Sequence, residues 1–268
     1  MIVAIQGLEG SFHEQVARKW YGDSVDILPC TTFREVFAAY ASGDADAIVT
    51  AVENTLYGSI NEVYQHIEAC EAPIVGEVKL TIEQMLITRP GAKLSDITEV
   101  YSHPVALAQC QHWLKKNLPQ AEIIEFFDTA GAVEFIKEDG TPHQAAIAGE
   151  RAAALYGLPI LARSIQDSQD NITRFLVLEP TETVADASRA SLLITTSHKP
   201  GALVEVLQVF ANANVNLAKL QSQPIIGQPF NYKFFIVVDC AGEPLYKLVE
   251  EIEKSDHQVT LLGEYKAA

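Results

Sequence analysis

The amino-acid sequence predicts an α/β protein with a second, smaller α/β unit in its C-terminal third. Three observations support this prediction. Short apolar runs alternate with helical patterns over the first two-thirds of the 268 residues, a polar stretch without periodicity follows at residues 181–189, and the pattern beyond it is βαββαβ. Alternation of strands and helices implies right-handed crossovers and mostly parallel sheets. The βαββαβ order is that of a ferredoxin-like unit.

The individual elements follow from apolar runs of strand length and from apolar residues at helical spacing. In the first part, strands are predicted at residues 2–6, 25–30, 45–52, 74–79, 82–88, 99–102, 123–127, 145–148, 159–163 and 175–178. Helices are predicted there at residues 11–21, 33–40, 60–70, 105–117, 130–138 and 150–156. In the last part, strands are predicted at residues 191–196, 215–226, 231–239 and 258–264, and helices at residues 202–211 and 245–254.

Several of these helices carry recognisable start signals. The capping box, in which two side chains satisfy free backbone amides at a helix start, matches Ser11-x-x-Glu14, Thr32-x-x-Glu35 and Ser59-x-x-Glu62. Pro104 stands where a first-turn proline is favoured, directly after His103. We expect these residues to stabilise helix ends whether or not they also bind a ligand.

The composition indicates a folded globular protein and argues against several classes of function. The chain has 48% hydrophobic and 20% charged residues, with 19 Lys and Arg against 35 Asp and Glu, a net charge of −16. This charge disfavours nonspecific binding to nucleic acid or to an anionic membrane. We expect no signal peptide and no membrane-spanning segment. The four cysteines are widely separated, which favours reduced thiols in the cytoplasm and neither a disulfide framework nor a metal site.

Small and hydroxyl-bearing residues gather where predicted strands end. These junctions are residues 7–11, 54–59, 102–104 and 128–129. Ligands bind outside the carboxyl ends of strands in open α/β sheets, and helix N-termini at that edge attract anions. The pattern therefore predicts a cleft between two lobes that binds a small carboxylated molecule.

The segment of residues 170–175, Asp-Asn-Ile-Thr-Arg-Phe, adds a fixed cation to this cleft. Arg174 could pair bidentately with a ligand carboxylate, or it could be a structural arginine held by Asp167 or Asp170. His13 and His103 are weaker candidates for a general acid. Because no Walker loop and no Gly-x-Ser-x-Gly motif is present, the residues alone leave the reaction open.

Five ordered motifs resemble those of the prephenate dehydratases. They are Gly7-x-x-Gly10-Ser11-Phe12-x-Glu14-x-x-Ala17, Val52-Glu53-Asn54-Thr55-x-x-Gly58-Ser59, Ser102-His103-Pro104-x-Ala106-Leu107-x-Gln109-Cys110, Ala145-Ala146-Ile147-Ala148 and Asn171-x-Thr173-Arg174-Phe175. The resemblance implies a catalytic domain at residues 1–180 with a two-lobed, type 2 periplasmic-binding-protein-like fold. Its lobes would be approximately residues 1–78 with 165–180, and residues 79–164. A linker at residues 181–189 would follow.

The activity that the resemblance implies is that of a carbon–oxygen lyase. Members of the family convert prephenate to phenylpyruvate, water and carbon dioxide on the way to L-phenylalanine, without a cofactor. The family pattern gives Thr173 the role of assisting the departing hydroxyl, and we expect Arg174 to bind a carboxylate. Substrate-binding roles are expected for a further set of residues: Asn54, Thr55, Ser102, Asn171, Phe175 and Ser11. Glu53 is ambiguous, because its charge would repel a dianion; it could instead cap backbone groups or hold a neighbouring side chain.

Residues 190–268 resemble the ACT regulatory domain of the same family, with Lys199-Pro200-Gly201-Ala202-Leu203 matching its loop–helix signature. The resemblance implies that L-phenylalanine binds as an allosteric effector and that ACT units pair, giving a homodimer or homotetramer. The expected effector contacts are Gly201, Ala202, Leu203, Gln221, Ser222 and Pro224.

Two positions depart from the family pattern, and two other functions remain open. The usual Glu-Ser-Arg-Pro of the ACT unit is Gln221-Ser222-Gln223-Pro224 here, and Thr55 replaces a common serine. The first alternative function is that of an arogenate dehydratase. The second is a non-catalytic amino-acid sensor, which Thr173 argues against because a sensor has no need of a donor to a leaving group.

Overall fold

The computed structural model describes residues 1–181, 184–228 and 231–268. Residues 182 and 183 of the predicted linker lie outside the described residues. The chain divides into two compact units, one of Met1–Ile60 with Lys79–Phe175 and the other of Asn61–Val78 with Leu176–Ala268. No helix among the described residues combines the length and the apolar character needed to cross a membrane.

The strands and helices are close to the predicted ones. The strands are β1 Ile2–Gln6, β2 Asp26–Cys30, β3 Ala47–Asn54, β4 Gly58–Ser59, β5 Ile74–Thr81, β6 Met85–Thr88, β7 Glu99–Ser102, β8 Glu122–Glu125, β9 Gln144–Ala148, β10 Ile160–Ala162, β11 Ile172–Leu178, β12 Arg189–Thr195, β13 Leu217–Pro224, β14 Tyr232–Val238 and β15 Gln258–Tyr265. The helices are α1 Phe12–Tyr21, α2 Phe33–Ser42, α3 Asn61–Ala69, α4 Pro104–Gln109, α5 Gln111–Asn117, α6 Thr129–Glu138, α7 Glu150–Tyr156, α8 Ala202–Asn212 and α9 Glu243–Glu253.

The strands of the first two-thirds form two sheets, which confirms the two-lobed α/β architecture. The first sheet has the order β2-β1-β3-β11-β5, with β4 on β3, and the second has the order β10-β6-β9-β7-β8. Strand β11 thus returns after the second sheet is complete and lies between β3 and β5. Both of its neighbours come from residues 47–81, before the second sheet begins.

The prediction of mostly parallel sheets is only partly confirmed. Strand β1 is parallel to β2 and β3, and β7 is parallel to β8 and β9. Strand β6, in contrast, is antiparallel to both β9 and β10. Strands built by crossover helices within one sheet run in parallel. The strands by which the chain enters and leaves the second sheet are free of that constraint.

Helices cover both faces of the second sheet, as alternate residues of β9 show. Ala145 and Ile147 belong to a core with α4 and α5, whereas Ala146 and Ala148 belong to a core with α6 and α7. Strand β9 is therefore apolar on both faces, which is the usual signature of a strand buried within an α/β sheet.

The predicted helix at residues 105–117 is wrong, because the structure contains two helices separated at Cys110, where φ is −113° and ψ is 11°. Asp167 stabilises the second start by accepting hydrogen bonds from the backbone N–H groups of His112 at 2.9 Å and Trp113 at 3.0 Å. The capping carboxylate lies more than fifty residues away in the sequence. Helical periodicity therefore could not reveal the break.

Two of the three predicted capping boxes supply a cap. The Ser11 and Thr32 hydroxyls accept hydrogen bonds from the backbone N–H groups of Glu14 and Glu35, at 3.3 and 3.2 Å. The third prediction is wrong, because Ser59 lies in β4 and α3 begins at Asn61.

The C-terminal part has the predicted βαββαβ order. Its antiparallel sheet, β13-β14-β12-β15, packs against α8 and α9 through a core that includes Phe210, Ile236 and Leu248. Helix α3 belongs to the same compact unit. It packs on this sheet, with the Tyr64 ring 4.7 Å from the ring of Phe235.

Candidate active site

The site is organised by the Asn54 side chain at the end of β3. Its Oδ1 accepts hydrogen bonds from the backbone N–H groups of Leu56 at 2.9 Å and Tyr57 at 3.0 Å. This local turn, an Asx-type arrangement, stabilises the chain reversal after the strand. Because backbone N–H groups can only donate, they identify which end of the amide carries oxygen. The Asn54 NH₂ group must therefore point toward β11.

The Asn54 amide nitrogen donates to two side chains carried by β11 and the residue before it. Nδ2 lies 3.0 Å from the Thr173 hydroxyl oxygen and 2.8 Å from Asn171 Oδ1. Thr173 Oγ1 is consequently an acceptor in this contact. The Thr173 hydroxyl proton is then free to be donated to a different acceptor.

Thr173 and Arg174 lie within β11, which begins at Ile172, rather than before the strand as the apolar run at residues 175–178 suggested. Consecutive strand residues point to opposite faces. Both side chains are mostly buried, each residue being 8% exposed. A strand position holds the Thr173 hydroxyl more rigidly than a loop would.

Arg174 pairs with Glu53, and neither Asp167 nor Asp170 is its partner in that contact. Arg174 Nη2 lies 2.7 Å from Glu53 Oε2. The Glu53 side chain is 37% exposed, so this ion pair is open to solvent on its carboxylate side. Glu53 thus has the role of holding a neighbouring cation, which was one of the two interpretations of its sequence position.

Thr55 ties the end of β3 to the start of β11. Its hydroxyl donates to the carbonyl of Asp170 and accepts from the backbone N–H of Ile172 at 3.0 Å, and its backbone N–H donates to the Ile172 carbonyl at 2.9 Å. These bonds fix the main chain on both sides of Asn171. The hydroxyl that a serine would offer is thus retained by Thr55 and used to position the segment.

Two glutamines extend this cluster, and neither was among the predicted site residues. Gln109 at the end of α4 donates from Nε2 to Asn171 Oδ1 at 3.4 Å. Gln84, between β5 and β6, donates from Nε2 to Gln109 Oε1 at 3.1 Å. Gln109 lies within a family motif, which was the available signal. Nothing in the sequence pattern singled out Gln84.

Ser11, Ser102 and Phe175 lie outside this hydrogen-bonded cluster. Ser11 caps α1, and Ser102, which is fully buried, donates to the carbonyl of Ile147 at 2.6 Å. Phe175 is a core residue whose ring lies edge-on to His13 at 5.1 Å. Their role as substrate ligands stays a prediction, and each has a structural role in the fold.

The environment of His13 removes it as a general acid near neutral pH. Burial lowers the pKa of His13 from 6.5 to about 3. Its Nε2 accepts a hydrogen bond from the backbone N–H of Ala51 at 3.1 Å. The neutral ring therefore serves as a buried acceptor that connects α1 to β3.

His103 has the capping role that its sequence position allowed. Its Nδ1 accepts from the backbone N–H of Val105 at 3.3 Å, at the start of α4. Burial lowers the pKa of His103, while the carboxylates of Asp128 and Glu125 oppose that effect.

A buried carboxylate joins helices of the two lobes beside the first strand-end junction. Glu14 on α1 accepts from Arg151 on α7 at 2.7 Å, from Arg18 at 2.6 Å, and from the backbone N–H of Gly10. Burial alone would raise the pKa of Glu14, but these three hydrogen bonds outweigh it and lower the pKa to about 2. Asp128 makes a second such connection by accepting from the N–H of Leu8 at 3.2 Å.

A separate cavity of about 610 Å³ lies in the βαββαβ unit. Three of the six predicted effector residues line it, namely Gly201, Ala202 and Leu203, together with residues such as Ile225 and Tyr232. Gln221, Ser222 and Pro224 are not among the described residues that line this cavity. They lie on the neighbouring strand β13.

The architecture is that of a two-lobed α/β protein with a C-terminal βαββαβ unit, and the cluster gathers buried amide and hydroxyl groups at one edge of its first sheet. Family comparisons give the particular family. Residues 3–183 match the model of the prephenate dehydratase family, and residues 190–257 match that of the ACT domain. The chain belongs to the prephenate dehydratase family and carries a C-terminal ACT domain.

Two relatives with named activities agree with this assignment. The chain is 37% identical over 271 residues to the bifunctional chorismate mutase/prephenate dehydratase of Aquifex aeolicus, covering 99% of this chain and 74% of that protein. It is 35% identical over 277 residues to the chloroplastic arogenate dehydratase/prephenate dehydratase 2 of Arabidopsis thaliana, covering 98% and 72%.

Solved structures show the same fold over the whole chain. The prephenate dehydratase of Arthrobacter aurescens in complex with L-Phe superposes with a TM-score of 0.90 at 29% identity, covering 100% of this chain and 90% of that one. A second structure, described as GqqA, a novel type of quorum quenching acylase, gives a TM-score of 0.89 at 31% identity, covering 100% and 98%.

Proposed function

We propose that this chain is a prephenate dehydratase in which Thr173 donates a hydrogen bond to the departing hydroxyl group of prephenate. The observation that carries this proposal is the hydrogen bond from Asn54 Nδ2 to Thr173 Oγ1. The Leu56 and Tyr57 amides fix its direction. A hydroxyl whose oxygen already accepts a hydrogen bond is preorganised to donate its proton.

The reaction requires little further chemistry from the protein. The bond between the ring and its carboxylate breaks and releases carbon dioxide, and its electron pair enters the ring. The bond between C4 and oxygen breaks at the opposite position, and the departing hydroxide, which accepts the hydrogen bond from Thr173, becomes water by taking up a proton supplied by the solvent. Because the ring becomes aromatic, the barrier lies mainly in the departure of hydroxide. A preorganised hydrogen-bond donor that stabilises the negative charge developing on the leaving oxygen typically raises the rate by about 10²- to 10³-fold.

Arg174 and Asn171 are the proposed ligands of the substrate's carboxylates. Arg174 is held by Glu53, whose carboxylate side is open to solvent. A substrate carboxylate would therefore share or replace that partner. Asn171 is 0% exposed, and its Nδ2 has no hydrogen-bond partner among the described residues. A buried donor of this kind is costly unless a ligand satisfies it.

Arogenate is the second candidate substrate, because several relatives carry the name arogenate dehydratase. It differs from prephenate in having an amino group where prephenate has a keto group. The reacting ring is the same in both molecules. The cluster around Thr173 would therefore serve either substrate, and specificity would depend on residues that contact the side chain.

One experiment tests the proposal and separates it from its alternatives. Purified protein is mixed with prephenate or with arogenate, and the formation of phenylpyruvate and phenylalanine is followed. We expect phenylpyruvate from prephenate at a higher kcat/KM than phenylalanine from arogenate. The reverse preference would favour an arogenate dehydratase. Absence of turnover with both, accompanied by ligand binding, would favour a sensor.

The regulatory part of the proposal concerns L-phenylalanine. The cavity beside Gly201, Ala202 and Leu203 is the proposed effector site. Pairing of two such units would bring Gln221, Ser222 and Pro224 of each chain toward the partner's cavity, so the proposed assembly is a homodimer or homotetramer.

We place the enzyme in the cytoplasm, where free thiols such as those of its cysteines stay reduced.

A further inference from the structure

The amide groups around Asn171 form a directed chain. Leu56 and Tyr57 fix Asn54, whose Nδ2 donates to Asn171 Oδ1. Asn171 Oδ1 also accepts from Gln109 Nε2. Gln109 must then present its oxygen at the other end, where Gln84 Nε2 donates to it at 3.1 Å. A primary amide has one donor end and one acceptor end, so each orientation depends on its neighbour's.

Gln84 occupies a position from which it can hold the far end of this chain. The residue is buried. Both of its backbone polar groups bond to residues 165 and 166, which precede β11. Its N–H donates to Gln166 Oε1 at 3.0 Å, and its carbonyl accepts from the N–H of Ile165 at 2.9 Å. The side chain therefore leaves a rigid backbone and has a defined reach.

From this arrangement we propose that Gln84 is a positioning residue for catalysis, acting through Gln109 on the side-chain amide of Asn171. Without the Gln84 donor, Gln109 Oε1 would be buried without a hydrogen bond, so the Gln109 side chain would be free to rotate away from Asn171. Asn171 Oδ1 would then keep the hydrogen bond from Asn54 and lose the one from Gln109. Its amide plane would be held at one point instead of two, and its NH₂ group would lose part of its orientation.

Two atoms of the chain support a functional rather than a purely structural role. Gln84 Oε1 and Asn171 Nδ2 are both buried and have no hydrogen-bond partner among the described residues. Buried networks that serve only packing are usually satisfied throughout. In this structure the anchored Asn54 donates to Asn171 Oδ1 and so determines which end of the Asn171 amide carries oxygen. The other end, Nδ2, is the donor left without a partner among the described residues.

The inference rests on the proposed function and predicts how three variants behave. Gln84→Met keeps the length of the side chain but removes both polar ends. We expect kcat for prephenate to fall by about 10- to 100-fold, the scale of a small misplacement of a reacting group, with a smaller change in KM and little change in melting temperature. Gln144 offers a matched control, because this glutamine of β9 bonds to Glu99 and Tyr101 outside the chain of amides. Gln144→Met should keep the wild-type kcat.

Gln84→Glu gives a readout that a structural role would not produce. In this variant a protonated carboxylic acid can donate to Gln109 Oε1, whereas an ionised carboxylate cannot. We therefore expect kcat of the variant to rise as the pH falls, relative to the wild type, while its melting curve shows that it stays folded. A Gln84→Glu profile parallel to that of the wild type, or a Gln84→Met enzyme with wild-type kcat, overturns the inference.

A measurement without turnover separates this inference from the proposed function. In protein labelled with ¹⁵N-glutamine, the side-chain signal of Gln109 is identified by its loss in Gln109→Met. Gln84→Met should increase the hydrogen exchange of that NH₂ group by at least about tenfold if Gln84 orients it, since an exchange ratio of this size corresponds to the loss of one hydrogen bond. Unchanged exchange overturns the positioning role even if the wild type converts prephenate. Increased exchange in a chain that converts neither substrate would count against the proposed function alone.

Discussion

The hydrogen-bonded cluster around Thr173 and the cavity beside Gly201 are built in opposite ways. The cluster is buried, and the anchored amide of Asn54 sets the direction of its hydrogen bonds. The cavity encloses about 610 Å³, and several of the side chains around it, including Val204 and Tyr232, are exposed. The geometry of the proposed catalytic cluster is therefore fixed by hydrogen bonds within the chain. The proposed effector cavity is lined partly by exposed side chains, which a ligand or a second subunit would cover.

Substitution of Thr173 should give the largest effect, because its hydroxyl is the proposed donor to the leaving group. Thr173→Ala should lower kcat for prephenate by about 10²- to 10³-fold with little change in KM. Thr173→Ser keeps the donor and should retain most of the activity. Steady-state kinetics checks both. A Thr173→Ala enzyme that loses affinity but keeps kcat would contradict the donor role.

Addition of L-phenylalanine should give the next largest effect, at the other region. A ligand that binds only the folded state stabilises it by about 2.7 kcal/mol at a concentration 100 times its Kd. Thermal unfolding should therefore shift upward with L-phenylalanine and not with D-phenylalanine. A flat response would mean that this ACT domain, with glutamines at positions 221 and 223, does not bind the effector. At each L-phenylalanine concentration, the ratio of Thr173→Ala activity to wild-type activity should stay the same.

Substitution of Arg174 tests whether its guanidinium binds the substrate in addition to pairing with Glu53. Arg174→Gln should raise KM for prephenate by about 10- to 30-fold, since a hydrogen bond to a charged group contributes about 1.5–2 kcal/mol, with a smaller change in kcat. Glu53→Gln leaves the cation in place and should change KM by less than about threefold, in line with a partly exposed pair. Equal effects of the two variants would show that the pair acts only in folding.

The last prediction concerns stability and the buried His13, and it leaves kcat and KM aside. Its folded-state pKa of about 3 lies below the ordinary 6.5, so the folded state resists protonation. The stabilisation is complete above pH 6.5 and is lost as the pH falls toward 3, by about 1.4 kcal/mol per pH unit. Denaturant unfolding between about pH 7 and pH 5 should show this slope in the wild type. His13→Gln should flatten this slope, because it removes the buried group whose pKa is lowered.

Much of the fold was predictable because its signals are local. Strand and helix positions came from periodicity, and the caps at Ser11 and Thr32 came from short motifs. The capping role of Asp167 was not predictable from such signals, because this carboxylate reaches His112 and Trp113 from a distant segment. The broken helix at Cys110 was missed for that reason.

The candidate site shows the same division. Asn54, Asn171 and Thr173 were predicted from motifs and are joined directly by hydrogen bonds. The contact between Gln84 and Gln109 leaves no pattern in the sequence, because a glutamine's partner depends on tertiary structure alone. The partner of Arg174 was likewise not predictable, because several carboxylates could have paired with it. Glu53 is its partner because the order of the sheet places β3 beside β11.

The position of β11 has a consequence for the order of folding. Both neighbours of this strand, β3 and β5, precede it by about 90 residues or more, and the whole second sheet is made in between. Contacts between such distant segments form slowly, because the loop that joins them must first close. During refolding, secondary structure should therefore recover before activity does. Catalytic competence should appear only with the phase in which β11 inserts and brings Asn171 and Thr173 to Asn54.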